Sequence, residues 1–136
     1  MSVRGIGVDL VALARVERLY QRHGRRAVER ILHPDERAGL DSQREPARYL
    51  AKRFAAKEAG AKALGTGIAH GVRLHDLRVA HDELGRPELI LADGALRRAH
   101  ALGATHWHLS LSDEREHVLA FVVLDGGAPL PDQGAA

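Results

Sequence analysis

The chain opens on alternation: Ile6, Val8 and Leu10 share one side of an extended segment, and Gly5, Gly7 and Asp9 share the other. This predicts a strand over residues 3–8, with two glycines clearing the side that Asp9 occupies. From Leu13 the period changes. Leu13, Val16, Leu19 and Tyr20 recur at helical spacing up to Gly24, a C-terminal stop, and a second short helix is expected from Arg25 to Leu32. His33-Pro34-Asp35-Glu36 starts a further helical turn, and the strongest periodic segment runs from Pro46 to about Leu64 with Gly65 as its cap. Residues 72–81 and 88–92 read as two strands joined by the turn residues Asp82-Glu83-Leu84-Gly85-Arg86-Pro87. Asp93 is expected to cap a helix that Gly103 ends. His106 to Ser112 alternates, and Val118 to Leu124 is apolar at nearly every position, so both faces of that last strand are expected to be covered. The sum is an α+β domain, a mostly antiparallel sheet packed on one long helix, spanning residues 1–125. Residues 126–136, rich in Gly, Pro and Ala, are expected to form a disordered tail.

Composition narrows the chemistry. A chain of 136 residues has room for one core, and 45% hydrophobic with 28% charged residues excludes disorder of the whole chain. No run of about 18 apolar residues and no signal-like start are present, so a soluble, cytoplasmic protein with no membrane partner is expected. Cysteine is absent, which removes thiolate nucleophiles and sulfur ligands and leaves oxygen or imidazole to hold any metal. The net charge of +2 hides a polarity: residues 1–62 carry fourteen Lys/Arg against eight Asp/Glu, and residues 63–136 carry six against ten. A basic N-terminal half suits an anionic partner, whether nucleic acid, acidic protein or phosphorylated small molecule.

Two carboxylates stand out. Helical spacing sets Glu58 on a face of small residues with Phe54, where a charge needs a cation or strong donors; an ordinary Glu58–Lys62 pair, stabilising by about 0.3–0.5 kcal/mol, is the simpler alternative. Asp9 reads equally as the N-cap of the following helix or, on its glycine-cleared face, as a ligand. Together the two fit a hard ion such as Mg²⁺, which completes its octahedron with phosphate and water. Arg53, Lys57 and Lys62 on the same helix supply countercharge, and the turn Gly65-Thr66-Gly67 brings backbone within reach of an anion. His106 and His108 share a strand face; with no third ligand at a recognisable spacing, contact with a phosphate or a carboxylate is a better reading than zinc. Arg15, Arg18, Arg22 and Arg25 or Arg26 form a basic stripe, either a solvated helix face or a docking surface for an acidic partner. The five aromatic residues do not interleave with this stripe, which disfavours a nucleic-acid-binding module. A Mg²⁺-dependent nucleotide phosphohydrolase remains an alternative on the same carboxylates.

The segment Gly5-Ile6-Gly7-Val8-Asp9-Leu10-Val11 and residues 53–68, Arg53-Phe54-Ala55-Ala56-Lys57-Glu58 through Lys62 to Gly65-Thr66-Gly67-Ile68, resemble the two signature stretches of the holo-acyl-carrier-protein synthase family, the small bacterial phosphopantetheinyl transferases. The likeness continues through Asp82–Pro87 and 108–115 to about Leu124. It implies the fold of that family and Mg²⁺-dependent transfer of the 4'-phosphopantetheine arm of coenzyme A to a serine of an apo acyl carrier protein, releasing adenosine 3',5'-bisphosphate and serving fatty acid synthesis. By the same resemblance Asp9 and Glu58 are the metal ligands, and Glu58 and Lys62 the catalytic pair. Lys62, Arg53, Gly65, Thr66, Arg86, Pro87 and His108 line the coenzyme A site, the family's Gly-Lys-Pro hairpin appearing as Gly85-Arg86-Pro87. Arg15, Arg22 and Arg25 receive the carrier protein. A homotrimer with sites between neighbouring subunits is implied as well.

Overall fold

The computed structural model describes residues 2–127. The first strand, β1 (Ser2–Ala12), is followed by the helices α1 (Leu13–His23), α2 (Arg25–Ile31), a single turn α3 (Pro34–Arg37) and the long α4 (Pro46–Ala63). A hairpin of β2 (Leu77–His81) and β3 (Pro87–Leu91) leads to α5 (Asp93–Ala101), and the chain closes with β4 (His106–Asp113) and β5 (His117–Gly126). Both sheets are antiparallel: three strands in the order β1-β5-β4, and the separate pair β2-β3. Among the described residues no helix is long and apolar enough to cross a membrane.

Helix α4 is the centre of the molecule. Ala51, Ala55, Ala56, Ala59, Ala61 and Ala63 are buried along it, and so are Leu50 and Lys57. Alanine at so many positions lets neighbouring elements approach the helix from several sides, so its burial extends well beyond the single stripe that periodicity suggests. Its closest neighbour is β1. A Cβ on Gly5 would collide with the carbonyl oxygen of Ala63, and one on Gly7 with that of Ala59. The two glycines therefore clear the Asp9 side of the strand for a helix backbone, where the sequence suggested room for a ligand.

Register sorts the three-stranded sheet into two unlike faces. Gly7 pairs with Val122, Asp9 with Ala120 and Val11 with Val118, and Val11, Val118, Ala120, Val122 and Leu124 are buried on the helix side. On the other side Ile6 pairs with Val123, Val8 with Phe121 and Leu10 with Leu119, beside His108 and Ser110 of β4. Ile6, Val8, Leu10, Leu119 and Phe121 are exposed there. The expectation that both faces of the last strand are covered is thus met on one face only within a single chain. Several boundaries also move: β1 extends to Ala12 and β5 reaches Gly126, the first residue assigned to the tail. Residues 128–136 lie outside the described residues. Asp93 is the first residue of α5, at φ 47°, and Ala92 occupies the N-cap position.

Candidate active site

Asp9 and Glu58 meet at the seam between β1 and α4. The N-cap alternative for Asp9 falls away, because the residue before α1 is Ala12 and no side chain caps that helix. Asp9 instead accepts a hydrogen bond from Lys62 Nζ at 2.9 Å, and the same ammonium donates to the Val8 carbonyl at 3.1 Å. Lys62 is therefore engaged by the strand, where helical spacing alone suggested Glu58. Glu58 is half-buried beside this pair. Burial first, and then the negative charge of Asp9, push its carboxyl above the ordinary carboxylate range, while Lys62 and Arg15 oppose the shift. Two carboxylates and one close ammonium leave an anionic excess, and a carboxylate held with raised proton affinity is one that a cation would stabilise in its charged form. The hard oxygen donors and the raised Glu58 fit Mg²⁺.

A groove of about 740 Å³ runs from this seam between α1, α2 and α4, with Glu58, Phe54 and Ile68 in its lining and Arg15, Arg26 and Arg30 along its edges. Arg15 lies 5.9 Å from the Phe54 ring centroid, within cation–π range. Arg15 and Arg26 of the basic stripe therefore share this groove with Glu58. Arg22 is exposed on α1, and Arg25 turns to Glu29 at 3.0 Å on the outside of α2. Arg26 and Arg30 face the groove instead. Arg30, ten residues from the stripe's centre, was not singled out because its alignment depends on the angle between two helices.

The other basic residues of α4 divide. Lys57 is wholly buried: its ammonium donates to Glu36 Oε1 at 2.6 Å and to the Leu74 carbonyl at 3.1 Å, so it cannot serve as countercharge at the seam. Burial pushes its proton affinity down, against the pull of Glu36. Arg53 lies with its guanidinium 3.9 Å from the Tyr49 ring centroid and its Nε 3.5 Å from Glu36 Oε2. It faces a second, basic pocket of about 670 Å³ that also contains Arg44, Arg48, Lys52 and His81. Sequence reasoning did not gather those residues, since they come from α4, the loop before it and the end of β2.

The turn after α4 also differs from expectation. The amide N–H groups of Gly65, Thr66 and Gly67 donate to the Lys62 and Ala61 carbonyls, closing the helix, with Gly65 and Gly67 at φ 78° and 61°. These donors are occupied by the helix end, so the turn offers no backbone cradle to an anion.

Arg86, Pro87 and His108 do come together, lining an open groove of about 510 Å³ between the hairpin and β4. His108 Nε2 lies 2.6 Å from Asp125 Oδ2, and His106 Nδ1 lies 3.6 Å from the other carboxylate oxygen. The imidazole holds a carboxylate, one of its two expected uses. This groove lies along the free edge of β4, lined by successive residues 105–109, against the hairpin residues 86–89. Within one chain this groove is separate from the Asp9–Glu58 seam, so the residues assigned to coenzyme A do not line one continuous pocket.

The sequence profile of the 4'-phosphopantetheinyl transferase superfamily matches residues 5–122, a span that includes both carboxylates, Lys62, the hairpin and His108. The chain belongs to this superfamily. It is 60% identical over 124 residues to the holo-[acyl-carrier-protein] synthase of Alkalilimnicola ehrlichii, covering 89% of this chain and 95% of that one. The crystal structure of holo-[acyl-carrier-protein] synthase from Neisseria meningitidis matches with a TM-score of 0.84 at 44% identity, over 91% of this chain and 99% of the other. The Bacillus anthracis holo-(acyl-carrier-protein) synthase, solved in complex with CoA (3',5'-ADP), matches with a TM-score of 0.77 at 35% identity, over 92% and 98% of the two chains. Within the superfamily the chain thus groups with the holo-acyl-carrier-protein synthases, which are transferases.

Proposed function

We propose that this chain transfers the 4'-phosphopantetheine group of coenzyme A to a serine hydroxyl of an apo acyl carrier protein, giving the holo carrier and adenosine 3',5'-bisphosphate. The observation that carries the reading is the pair of carboxylates with Lys62 at the β1–α4 seam, opening into a groove edged by arginines. In this reaction the serine oxygen bonds to the phosphorus on the pantetheine side of the pyrophosphate, and the bond from that phosphorus to the bridging oxygen breaks. Asp9 and Glu58 would hold Mg²⁺, which supplies charge neutralisation to the pyrophosphate when bound. Lys62, anchored by Asp9 and the Val8 carbonyl, sets a positive charge where the leaving phosphate develops negative charge. The serine proton needs an acceptor, and Glu58 acting through a bound water is the candidate at the seam. Arg15 and Arg22 meet the acidic carrier protein, Arg26 and Arg30 extend that surface along the groove, and Arg25 lies at its outer margin.

The separation of the Arg86–His108 groove from the Asp9–Glu58 seam within one chain favours a site shared between copies. In this reading the exposed apolar row of Ile6, Val8, Leu10, Leu119 and Phe121 is covered in a homotrimer, which brings Arg86, Pro87 and His108 of one subunit to the Asp9–Glu58 seam of its neighbour. Arg53 and the basic pocket around it take phosphate of the coenzyme, Gly65 and Thr66 border it through shape, and the work is done in the cytoplasm for fatty acid synthesis. Incubation with coenzyme A, Mg²⁺ and apo carrier protein, followed by intact-mass measurement, tests the reaction: one added phosphopantetheinyl group is expected. Coenzyme hydrolysis without modification of the carrier would overturn the transfer reading in favour of a phosphohydrolase.

A further inference from the structure

His81 ends β2 as the cross-strand partner of Pro87, and its side chain lines the basic pocket that holds Arg53. The charged groups around it are Lys52 and Arg53 from α4 and Asp82 from its own turn, with Arg44, Glu45 and Arg48 completing the lining. Arg53 is held rigidly there. Its guanidinium stacks on Tyr49, whose hydroxyl donates to the Glu36 carbonyl at 2.6 Å, and its buried Nε lies against the Glu36 carboxylate without making a hydrogen bond. The pocket gathers several cations around one titratable ring, with Arg48 already paired to Asp113 at 2.9 Å and Glu45 at 3.3 Å and Lys52 to Asp113 at 3.6 Å.

We infer that His81 is a further anion-binding residue of this pocket, its imidazole taking up a proton as a phosphomonoester enters and donating it to a phosphate oxygen. The inference rests on the coenzyme reading given above, which supplies the phosphomonoester. Electrostatics sets the direction. In the free protein, burial first and then Arg53 and Lys52 lower the proton affinity of His81, with Asp82 opposing, so the ring is neutral over more of the pH range than an isolated histidine. A dianionic phosphate among the same arginines reverses the local sign and favours the imidazolium, so proton and phosphate bind with reciprocal support. His81 then grades affinity between neutral and mildly acidic conditions.

The test uses adenosine 3',5'-bisphosphate as the probe, with dissociation constants measured by calorimetry from pH 5.5 to 8.5 at fixed ionic strength. Wild-type protein, His81→Gln, His81→Arg and Arg53→Ala are compared. The probe's own phosphate ionisation is common to all of them, so the difference between wild type and His81→Gln isolates the ring. The wild type is expected to bind about tenfold more tightly than His81→Gln at pH 5.5, the gap closing toward pH 8.5, and to take up more protons on binding. His81→Arg should bind tightly at both ends of the range. Parallel profiles for wild type and His81→Gln would overturn the role of His81 while leaving the coenzyme reading intact. Wild-type affinity in Arg53→Ala would place the phosphate outside this pocket and overturn the inference too. A wild type that binds no bisphosphate at any pH would overturn the coenzyme reading itself, and this inference with it.

Discussion

Helix α4 carries two lysine–carboxylate clusters five residues apart, and they are built in opposite senses. At Lys57 the cluster is closed: Glu36 accepts from the Lys57 ammonium at 2.6 Å, the His33 amide at 2.9 Å and the Val79 amide at 3.2 Å, with Arg53 alongside. At Lys62 it is open, with Asp9 and Glu58 against one close ammonium that is half-exposed to solvent. Cations outnumber carboxylates in the buried cluster, and carboxylates outnumber ammonium groups at the seam. The buried Lys57–Glu36 pair must be satisfied internally, since Lys57 and Glu36 are shut off from solvent and only Arg53 at its edge lines a pocket; an open cluster can leave a deficit for a ligand to fill. The same residue types thus hold α3, α4 and β2 together in one place and prepare a reaction site in the other.

Removing one partner from each cluster should separate these roles. Lys57→Met removes the ammonium that donates to buried Glu36 and leaves Arg53, at 3.5 Å, as its neighbouring cation; it should cost up to about 3–5 kcal/mol of stability in denaturant unfolding, with part regained in the double variant Lys57→Met, Glu36→Gln. A neutral result would break the distinction. At the seam, Asp9→Asn or Glu58→Ala should lower the transfer rate by about a hundredfold or more with little change in Tm. Retained turnover in either protein would remove the carboxylates from the mechanism. Moving outward, Arg22→Glu should raise KM for the carrier protein by about tenfold without altering that for coenzyme A. Arg15→Glu should alter both, because Arg15 reaches the Phe54 ring and the field of Glu58.

The smallest effect concerns pH. Because the carboxyl of Glu58 is raised in the folded state, the fold binds its proton more tightly than the unfolded chain, and stability declines as pH rises through the range between the unfolded and folded values. Glu58→Gln should accordingly be more stable than wild type at neutral pH, by less than about 1 kcal/mol because solvent screens a half-exposed group, and equal to it below about pH 4. Mg²⁺ should raise the Tm of the wild type and not that of Glu58→Gln; equal shifts would detach the ion from this carboxylate.

Much of this was visible in the amino-acid order because it is local. The glycine stop of α1, the Pro46 start of α4 and the turn chemistry of 82–87 each depend on a few adjacent residues, and they stand where the sequence implies. Asp9 and Glu58 could be singled out from the small residues around them. Lys57 could not be told from Lys62, since its partner Glu36 lies twenty-one positions away. The glycines of β1 were legible as a cleared face, but not as one cleared for a helix, because nothing local names the element that approaches. The outer face of β5 reads as core in sequence and stands open in a single chain, a difference that a second copy would resolve.

The contact of Gly5 and Gly7 with α4 sets how reproducible the site can be. Where side chains separate two elements, each substitution among them alters the spacing, and the spacing drifts as a core is repacked. At this seam the strand rests on carbonyl oxygens of the helix itself. The spacing of the two backbones that carry Asp9 and Glu58 is therefore a main-chain dimension, a gauge that changes elsewhere in the core leave in place.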